Sequence, residues 1–209
     1  MLARLQLTLL LLAVLLLSAL LSWVVLYWEP SERVDEGGHT LTGLAELPAG
    51  GDFSLTHGED RFHLATLRGQ VVLVYFGYST CPDLCPSSLA VIAQALRRLE
   101  GAADGTVAGL FVSVDPQRDT PQRLAEYAGF FHPAIRGVSG EAEEVAQAAA
   151  LYGVAWRRVE SDSALGYLVD HSSNTYLIDA QGSLHTVFPH GATTEELVAA
   201  VEALLMKGE

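Results

Sequence analysis

Two continuous apolar runs constrain the fold of this chain more than any other feature of its sequence. They are "QVVLVYFGY", residues 70–78, and "TVAGLFVSV", residues 106–114. Valine-rich runs of this length are typical of strands buried on both faces, which occur in parallel sheets covered by helices. A helical pattern follows each run, with Leu89 and Leu96 at helical spacing after the first and "DTPQRLAEYAGFF" after the second. Alternating strands and helices predict an α/β fold with a mostly parallel central sheet.

The remaining segments complete a thioredoxin-like order of elements. Residues 52–69 predict a small N-terminal β-hairpin. "AIRGVSG" predicts a short third strand, and "EAEEVAQAAALYGV" predicts a helix with acidic residues in its first turn. "NTYLIDAQGSLHTVFP" predicts two strands around a D-A-Q-G turn, and "TTEELVAAVEALLMK" predicts a capped C-terminal helix. We therefore expect a thioredoxin-like central sheet flanked by helices and finished by an antiparallel hairpin.

The N-terminal segment has the composition of a single transmembrane helix. No Asp, Glu, Lys, Arg or His occurs between Leu5 and Trp28, and a helix of about 20 apolar residues crosses a bilayer. Arg4 precedes this stretch and mostly acidic residues follow it, so we expect the N-terminus to be cytoplasmic. A cleaved signal peptide is the alternative, but its apolar region would span only about 7 to 15 residues.

These features divide the chain into three parts and predict its location. We expect a membrane anchor over residues 1–28, a polar tether over residues 29–50 and a thioredoxin-like domain over residues 51–209. The apolar stretch begins almost at the first residue, leaving no room before it for an Arg- and Ser-rich transit peptide. The expected location is therefore the bacterial inner membrane, with the domain on the periplasmic side. A net charge of -13 argues against nucleic acid as a partner.

Both cysteines of the chain, Cys81 and Cys85, lie in the connection between the first buried strand and the next helix. Functional groups gather beyond the carboxyl ends of strands in such sheets, and a helix N-terminus stabilises a thiolate. Pro82 and Pro86 follow the two cysteines and restrict the backbone of the loop and helix start. The C-x-x-x-C spacing holds the sulfurs further apart than the C-x-x-C of disulfide exchange, so both can bind one ion.

Two thiolates are soft ligands that suit copper(I), zinc or iron–sulfur chemistry, but they do not complete a site for most of these metals. A third ligand is therefore expected. His171 is the candidate, because we place it in the loop before the "NTYLID" strand, where a thioredoxin-like fold returns the chain to the cysteines. We expect the other histidines to be solvated; they are His39, His57, His63, His132, His185 and His190.

Three motifs resemble a known family. "GYSTCPDLCP", "VSVDPQRDTP" and "DHSSNTYLID", in this order and at these separations, closely resemble the Sco family, also called SenC or PrrC. Its members are copper-binding proteins that help to assemble cytochrome c oxidase. The resemblance covers the chain from about Gly51 to the C-terminus.

The resemblance implies that Cys81, Cys85 and His171 bind copper, as Cu(I) and as Cu(II). It implies delivery of copper to the binuclear site of cytochrome c oxidase subunit II, and the need for a copper donor protein. Asp115, Arg118 and Asp119 match the second motif, with a role in loop structure or partner contacts. Asp170 beside His171 is a candidate to tune the site, although neighbouring side chains in an extended segment point in opposite directions.

Other uses of the cysteine pair stay open. In a different functional class, a thiol-disulfide reductase, Cys81 and Cys85 would be catalytic and would keep the oxidase copper-site cysteines reduced. A structural disulfide would close so short a loop that it stabilises weakly. Zinc suits the same three residues. Peroxidase chemistry is a minor alternative, because Thr80 does not reproduce the surroundings of a peroxidatic cysteine.

Overall fold

The computed structural model describes residues 6, 12, 15–20, 22–23, 48–103, 105–161 and 166–206. Residues 1–43 and 44–209 form separate units. In the first unit the described residues are helical. No helix within the described part of the chain is long and apolar enough to cross a membrane. Most of the anchor expected over residues 1–28, and the tether as far as residue 47, lies outside the described residues.

The second unit is built around a five-stranded sheet that consists of β3 Val71–Gly77, β4 Val107–Ser113, β5 Ile135–Val138, β8 Thr175–Ile178 and β9 Leu184–Phe188. The strand order in this sheet is β5-β4-β3-β8-β9. Strands β3, β4 and β5 are parallel, whereas β8 is antiparallel to β3 and β9 is antiparallel to β8. The central strand β3 is buried along its whole length, as its continuous apolar composition predicts.

The described residues of the second unit form four α-helices: α1 Leu84–Ala103, α2 Pro121–Phe131, α3 Ala142–Leu151 and α4 Thr194–Leu205. Helix α1 connects β3 to β4 and α2 connects β4 to β5, as parallel strands require. Helices α1 and α4 pack against each other, and α2 packs along β5. Thr120 caps α2 by accepting a hydrogen bond from the backbone N–H of Arg123, which confirms the predicted N-cap.

Two small hairpins lie outside the central sheet. The first consists of β1 Ser54–His57 and β2 Asp60–His63 and is followed by a 3₁₀ turn over Leu64–Leu67. The second consists of β6 Trp156–Glu160 and β7 Tyr167–His171. This second hairpin pairs with no strand of the central sheet within the described residues.

The structure confirms the α/β class, the thioredoxin-like order of elements, the N-terminal hairpin and each predicted helix of the second unit. The β6–β7 hairpin was not predicted from the sequence. Its strands are short, and charged residues such as Arg157, Arg158 and Asp170 interrupt the apolar pattern. A weak pattern of this kind is easily taken for a loop.

Candidate metal centre

The two cysteines occupy the junction of β3 and α1, as predicted. Cys81 lies in the connecting loop, where its N–H donates to the carbonyl of Tyr78 at 3.2 Å. Cys85 is the second residue of α1 and its side chain is completely buried, whereas Cys81 is half-buried. Both are free thiols. The pair therefore has one inner sulfur and one sulfur that solvent or another protein can reach.

His171 reaches the cysteines, but from a strand and not from a loop. It is the last residue of β7, which corrects the predicted loop position, and its Nε2 lies 3.2 Å from Cys85 Sγ. Its Nδ1 lies 3.0 Å from the carbonyl oxygen of Ser172. Because a carbonyl only accepts hydrogen bonds, we assign the hydrogen to Nδ1, which leaves the lone pair of Nε2 available to a metal ion.

Two tyrosines enclose the imidazole of His171. The rings of Tyr75 and Tyr78 meet it edge-on at 84°, with centroid distances of 6.1 and 5.8 Å. Tyr75 is fully buried in β3, and Tyr78 directly follows that strand. Both tyrosines lie at the end of β3 or directly after it, where the chain enters the loop of residues 78–83, which we call the cysteine loop. The same segment therefore shapes the positions of the sulfurs and of the imidazole.

The two thiols differ in acidity because they share a hydrogen bond. The hydrogen bond that Cys85 donates to the Cys81 sulfur lowers the pKa of Cys81 well below its usual value, and the backbone N–H groups of Asp83 and Cys85 act in the same direction. The same hydrogen bond, together with burial, raises the pKa of Cys85. In the metal-free pair the negative charge therefore resides on the more accessible sulfur.

The donor atoms of Cys81, Cys85 and His171 all lie within 4.8 Å of one another. Sulfur and nitrogen donors at about 2.0–2.3 Å from one metal ion are separated by at most about 4.6 Å. Small side-chain adjustments thus bring all three donors onto one ion. Two sulfurs and a neutral imidazole fit a soft ion such as copper(I).

The second motif lies beside this centre. Asp115 and Asp119 are 4% and 2% exposed, and both accept hydrogen bonds within the site region. Asp170 is different, because its carboxylate pairs with Arg157 at 2.9 Å on the exposed side of the hairpin. Asp170 therefore points away from the metal centre, in the direction that strand alternation requires.

The remaining histidines that the structure describes take no part in the centre. His63, His185 and His190 are exposed, as expected, and His39 lies outside the described residues. His132 was expected to be solvated, but it is only 5% exposed, and its Nδ1 accepts a hydrogen bond from Ala134 N at 3.1 Å. This hydrogen bond gives the buried Nδ1 atom a partner at the end of α2. His57 is partly buried and accepts from Ser139 N at 3.3 Å.

Tyr167, which was not predicted from the sequence to belong to the site, donates a hydrogen bond to Asp115 Oδ1 at 2.7 Å. Tyr167, Val169 and His171 alternate along β7, and residues at this spacing share one face of a strand. This alternation was the available signal. It places a tyrosine and the candidate ligand on the same side of β7.

Curated relatives of the chain are Sco proteins. The mitochondrial SCO2 homologue of Bos taurus is 39% identical over 154 residues, which are 72% of this chain and 58% of the bovine protein. The chain thus spans less than two thirds of that relative. The SCO2-like protein of Rickettsia conorii is 35% identical over 151 residues, which are 71% of this chain and 73% of the other.

Solved structures agree with these sequence relatives. Arabidopsis thaliana ScoI with copper bound has a TM-score of 0.70 and 32% identity, and the match covers 76% of this chain and 99% of that structure. Bradyrhizobium japonicum ScoI with copper bound has a TM-score of 0.66 and 36% identity, and the match covers 75% and 99% of the two chains. The family model described as SCO1/SenC matches residues 43–206. The chain therefore belongs to the SCO1/SenC family of thioredoxin-like proteins.

Proposed function

We propose that this chain binds copper through Cys81, Cys85 and His171 and delivers it to the binuclear copper site of cytochrome c oxidase subunit II during oxidase assembly. The observation that carries the proposal is the convergence of two sulfurs and an imidazole nitrogen within 4.8 Å of one another. The copper bound to the Arabidopsis and Bradyrhizobium proteins supports the identity of the cargo. Membership of the SCO1/SenC family supports the role in oxidase assembly.

The donor set suits both oxidation states of copper. Copper(I) accepts a low-coordinate set of thiolates and imidazole, and copper(II) tolerates the same donors with an added water or oxygen ligand. Cys85 is buried, whereas Cys81 is half-buried. An incoming ligand of the acceptor protein would therefore approach on the Cys81 side, while Cys85 and His171 retain the ion until exchange is complete.

Membrane attachment completes the proposal. Residues 1–28 would anchor the chain in the bacterial inner membrane with a cytoplasmic N-terminus, and residues 29–50 would connect the anchor to a periplasmic domain. The supporting observation is the stretch from Leu5 to Trp28, which contains no Asp, Glu, Lys, Arg or His. This placement would put the centre on the side of the membrane where a copper donor protein and subunit II can reach it.

A second candidate function is the reduction of disulfides in the oxidase copper site. The observation that favours it is the lowered pKa of Cys81 beside the buried thiol of Cys85. An accessible thiolate attacks a disulfide, and the neighbouring thiol then resolves the mixed disulfide. Each cycle would oxidise Cys81 and Cys85 to a disulfide and would require an external thiol reductant.

Copper stoichiometry with single substitutions tests the proposed site. The full-length chain should bind one copper per chain, with a thiolate-to-copper(II) charge-transfer band. The band should disappear in Cys81→Ala and Cys85→Ala and should shift or weaken in His171→Ala. His185→Ala is the matched control, since this exposed histidine on β9 lies outside the centre. Unchanged copper binding in His171→Ala would refute the three-ligand site.

Transfer experiments separate the two candidate functions. The copper-loaded chain and the metal-free dithiol chain are mixed separately with a subunit II copper-site fragment in its reduced and oxidised forms. Copper arriving at the reduced fragment without a change in thiol state would support delivery. Reduction of the oxidised fragment by the metal-free chain, with no copper transfer from the loaded chain, would support the reductase.

A further inference from the structure

The loop between β4 and α2, residues 114–120, contacts both segments that carry the proposed copper ligands. It contains the D-P-Q-R-D part of the second motif. One of its aspartates contacts the cysteine loop, and the other contacts the β6–β7 hairpin. We call this segment the bridging loop.

Asp119 connects the bridging loop to the cysteine loop. Its carboxylate accepts hydrogen bonds from Ser79 N at 2.9 Å, from Ser79 Oγ at 2.5 Å and from Ser113 Oγ at 2.5 Å. Arg123 Nε donates a further hydrogen bond to Ser79 Oγ at 2.6 Å. A carboxylate that is only 2% exposed is costly to bury unless such donors surround it. These bonds fix the backbone two residues before Cys81.

Asp115 and Arg118 connect the same loop to the hairpin through Tyr167. The hydroxyl of Tyr167 donates to Asp115 Oδ1 at 2.7 Å, and Arg118 donates to the other oxygen of this carboxylate. Arg118 also donates to the carbonyl of Tyr167 at 2.9 Å. Its guanidinium carbon lies 3.6 Å from the centroid of the Tyr167 ring, which adds a cation–π contact. The bridging loop thus holds Tyr167 by its hydroxyl, its ring and its backbone.

Tyr167 and His171 occupy opposite ends of β7 on the same face. Val169 lies between them and is 6% exposed, so the face that carries all three side chains points into the protein. A two-stranded hairpin is marginally stable by itself, and β6–β7 pairs with no other described strand. The contacts of β7 with the domain must therefore determine where the imidazole lies.

We propose that Asp115, Arg118, Asp119 and Tyr167 are positioning residues that set the distance between the cysteine pair and His171. In the bridging loop, Asp119 accepts hydrogen bonds from the cysteine loop. Asp115 accepts a hydrogen bond from Tyr167 on β7, the strand that carries His171. The inference rests on the proposed ligand role of His171. Its structural content, the fixed position of β7, can be measured without metal.

Tyr167→Phe is the sharpest variant, because it keeps the ring over Arg118 and removes only the hydroxyl bond to Asp115. Arg118→Lys keeps the charge but loses the planar group that stacks on Tyr167. Tyr152→Phe is the matched control, since the Tyr152 hydroxyl also makes one hydrogen bond, to Gly51 O at 2.9 Å. That bond lies outside both ligand-bearing segments.

Amide hydrogen exchange of the metal-free full-length chain is the first readout. We expect faster exchange of the β7 amides in Tyr167→Phe and Arg118→Lys, with β3 and β4 unchanged, which also shows that the variants fold. On the cysteine side, Asp119→Asn should accelerate exchange at Ser79. The inference would be overturned if the β7 amides exchanged at the wild-type rate in both Tyr167→Phe and Arg118→Lys. It would also be overturned if Tyr152→Phe accelerated their exchange equally.

Copper(II) binding is the second readout. Loss of groups that orient a metal ligand costs about 10–100-fold in affinity, so the dissociation constants of Tyr167→Phe and Arg118→Lys should rise by this factor. The electron paramagnetic resonance signal should lose nitrogen coupling from His171, a change that a general loss of stability does not produce. Wild-type affinity and nitrogen coupling in both variants would contradict the proposal. If the wild-type chain binds no copper, the proposed function fails, and hydrogen exchange alone decides this inference.

Discussion

At the scale of single residues, the two cysteines are chemically unequal although only three residues separate them. Cys85 is completely buried in the first turn of α1, and Cys81 is half-buried in the loop. The shared hydrogen bond lowers the pKa of Cys81 and raises that of Cys85. Because Cys81 is the more accessible and the more acidic of the two, it would be the first to meet an incoming copper ligand in copper delivery and the nucleophile in disulfide reduction.

This inequality predicts selective alkylation. At pH 6, iodoacetamide should modify Cys81 in the metal-free chain and leave Cys85 unmodified. Removing the hydrogen-bond donor in Cys85→Ala raises the pKa of Cys81, so its alkylation rate at pH 6 should fall about tenfold or more. Peptide mass spectrometry measures both rates. Preferential labelling of Cys85 would contradict the assignment.

At the scale of elements, helix α2 packs so closely on β5 that the contact depends on a glycine. A Cβ atom at Gly137 would lie 2.4 Å from the carbonyl oxygen of Leu124. That atom belongs to the helix backbone and cannot rotate away. Gly129, on the same helix, has open space where a Cβ would be placed.

The two glycines form a matched pair for mutagenesis. Gly137→Ala should lower the free energy of unfolding by about 2–3 kcal/mol, because overpacking forces α2 and β5 apart. Gly129→Ala should raise it by about 0.5–1 kcal/mol through helix propensity. Urea unfolding followed by circular dichroism measures both changes. Equal effects of the two substitutions would show that the close contact does not limit stability.

At the scale of the whole molecule, one glutamate ties the N-terminal hairpin to a helix that lies far along the chain. Glu144 in α3 accepts hydrogen bonds from Thr56 N at 2.7 Å and Thr56 Oγ1 at 3.0 Å. It also completes the capping box of α3 with Glu141. The hydrogen bond from the Thr56 backbone is the largest cause of the lowered pKa of Glu144.

The lowered pKa of Glu144 predicts the pH range in which its hydrogen bonds to Thr56 stabilise the fold. The stabilisation should be complete above the ordinary pKa of 4.5 and should be lost as the pH falls through the lower folded-state pKa. Glu144→Gln should therefore cost about 1 kcal/mol at pH 7 and less at pH 3. Urea unfolding at both pH values tests this.

Glu143→Gln, an exposed neighbour in the same turn, is the control and should change stability by less than about 0.5 kcal/mol at either pH. A cost of Glu144→Gln that stays constant down to pH 3 would disprove the role of the ionised carboxylate.

The features predictable from the sequence are those that depend on neighbouring residues. Apolar runs identified β3 and β4, and Thr120 with Pro121 marked the start of α2. The β6–β7 hairpin escaped prediction because its short strands have one buried residue, Val169, among charged neighbours. His132 was misjudged because its burial depends on how the end of α2 packs. No local pattern carries that information.

The amino-acid sequence by itself determined the order of the helices and of the central-sheet strands, and the position of Cys81 and Cys85 at a strand–helix junction, because backbone propensity and hydrophobic period act over a few residues. Only the tertiary structure decided that His171 Nε2 lies 3.2 Å from Cys85 Sγ, across 86 positions of the chain. That distance depends on side-chain contacts between segments that are remote in sequence. Tyr167, Asp115 and Arg118 make those contacts, and they exist only once the β6–β7 hairpin has docked on the domain.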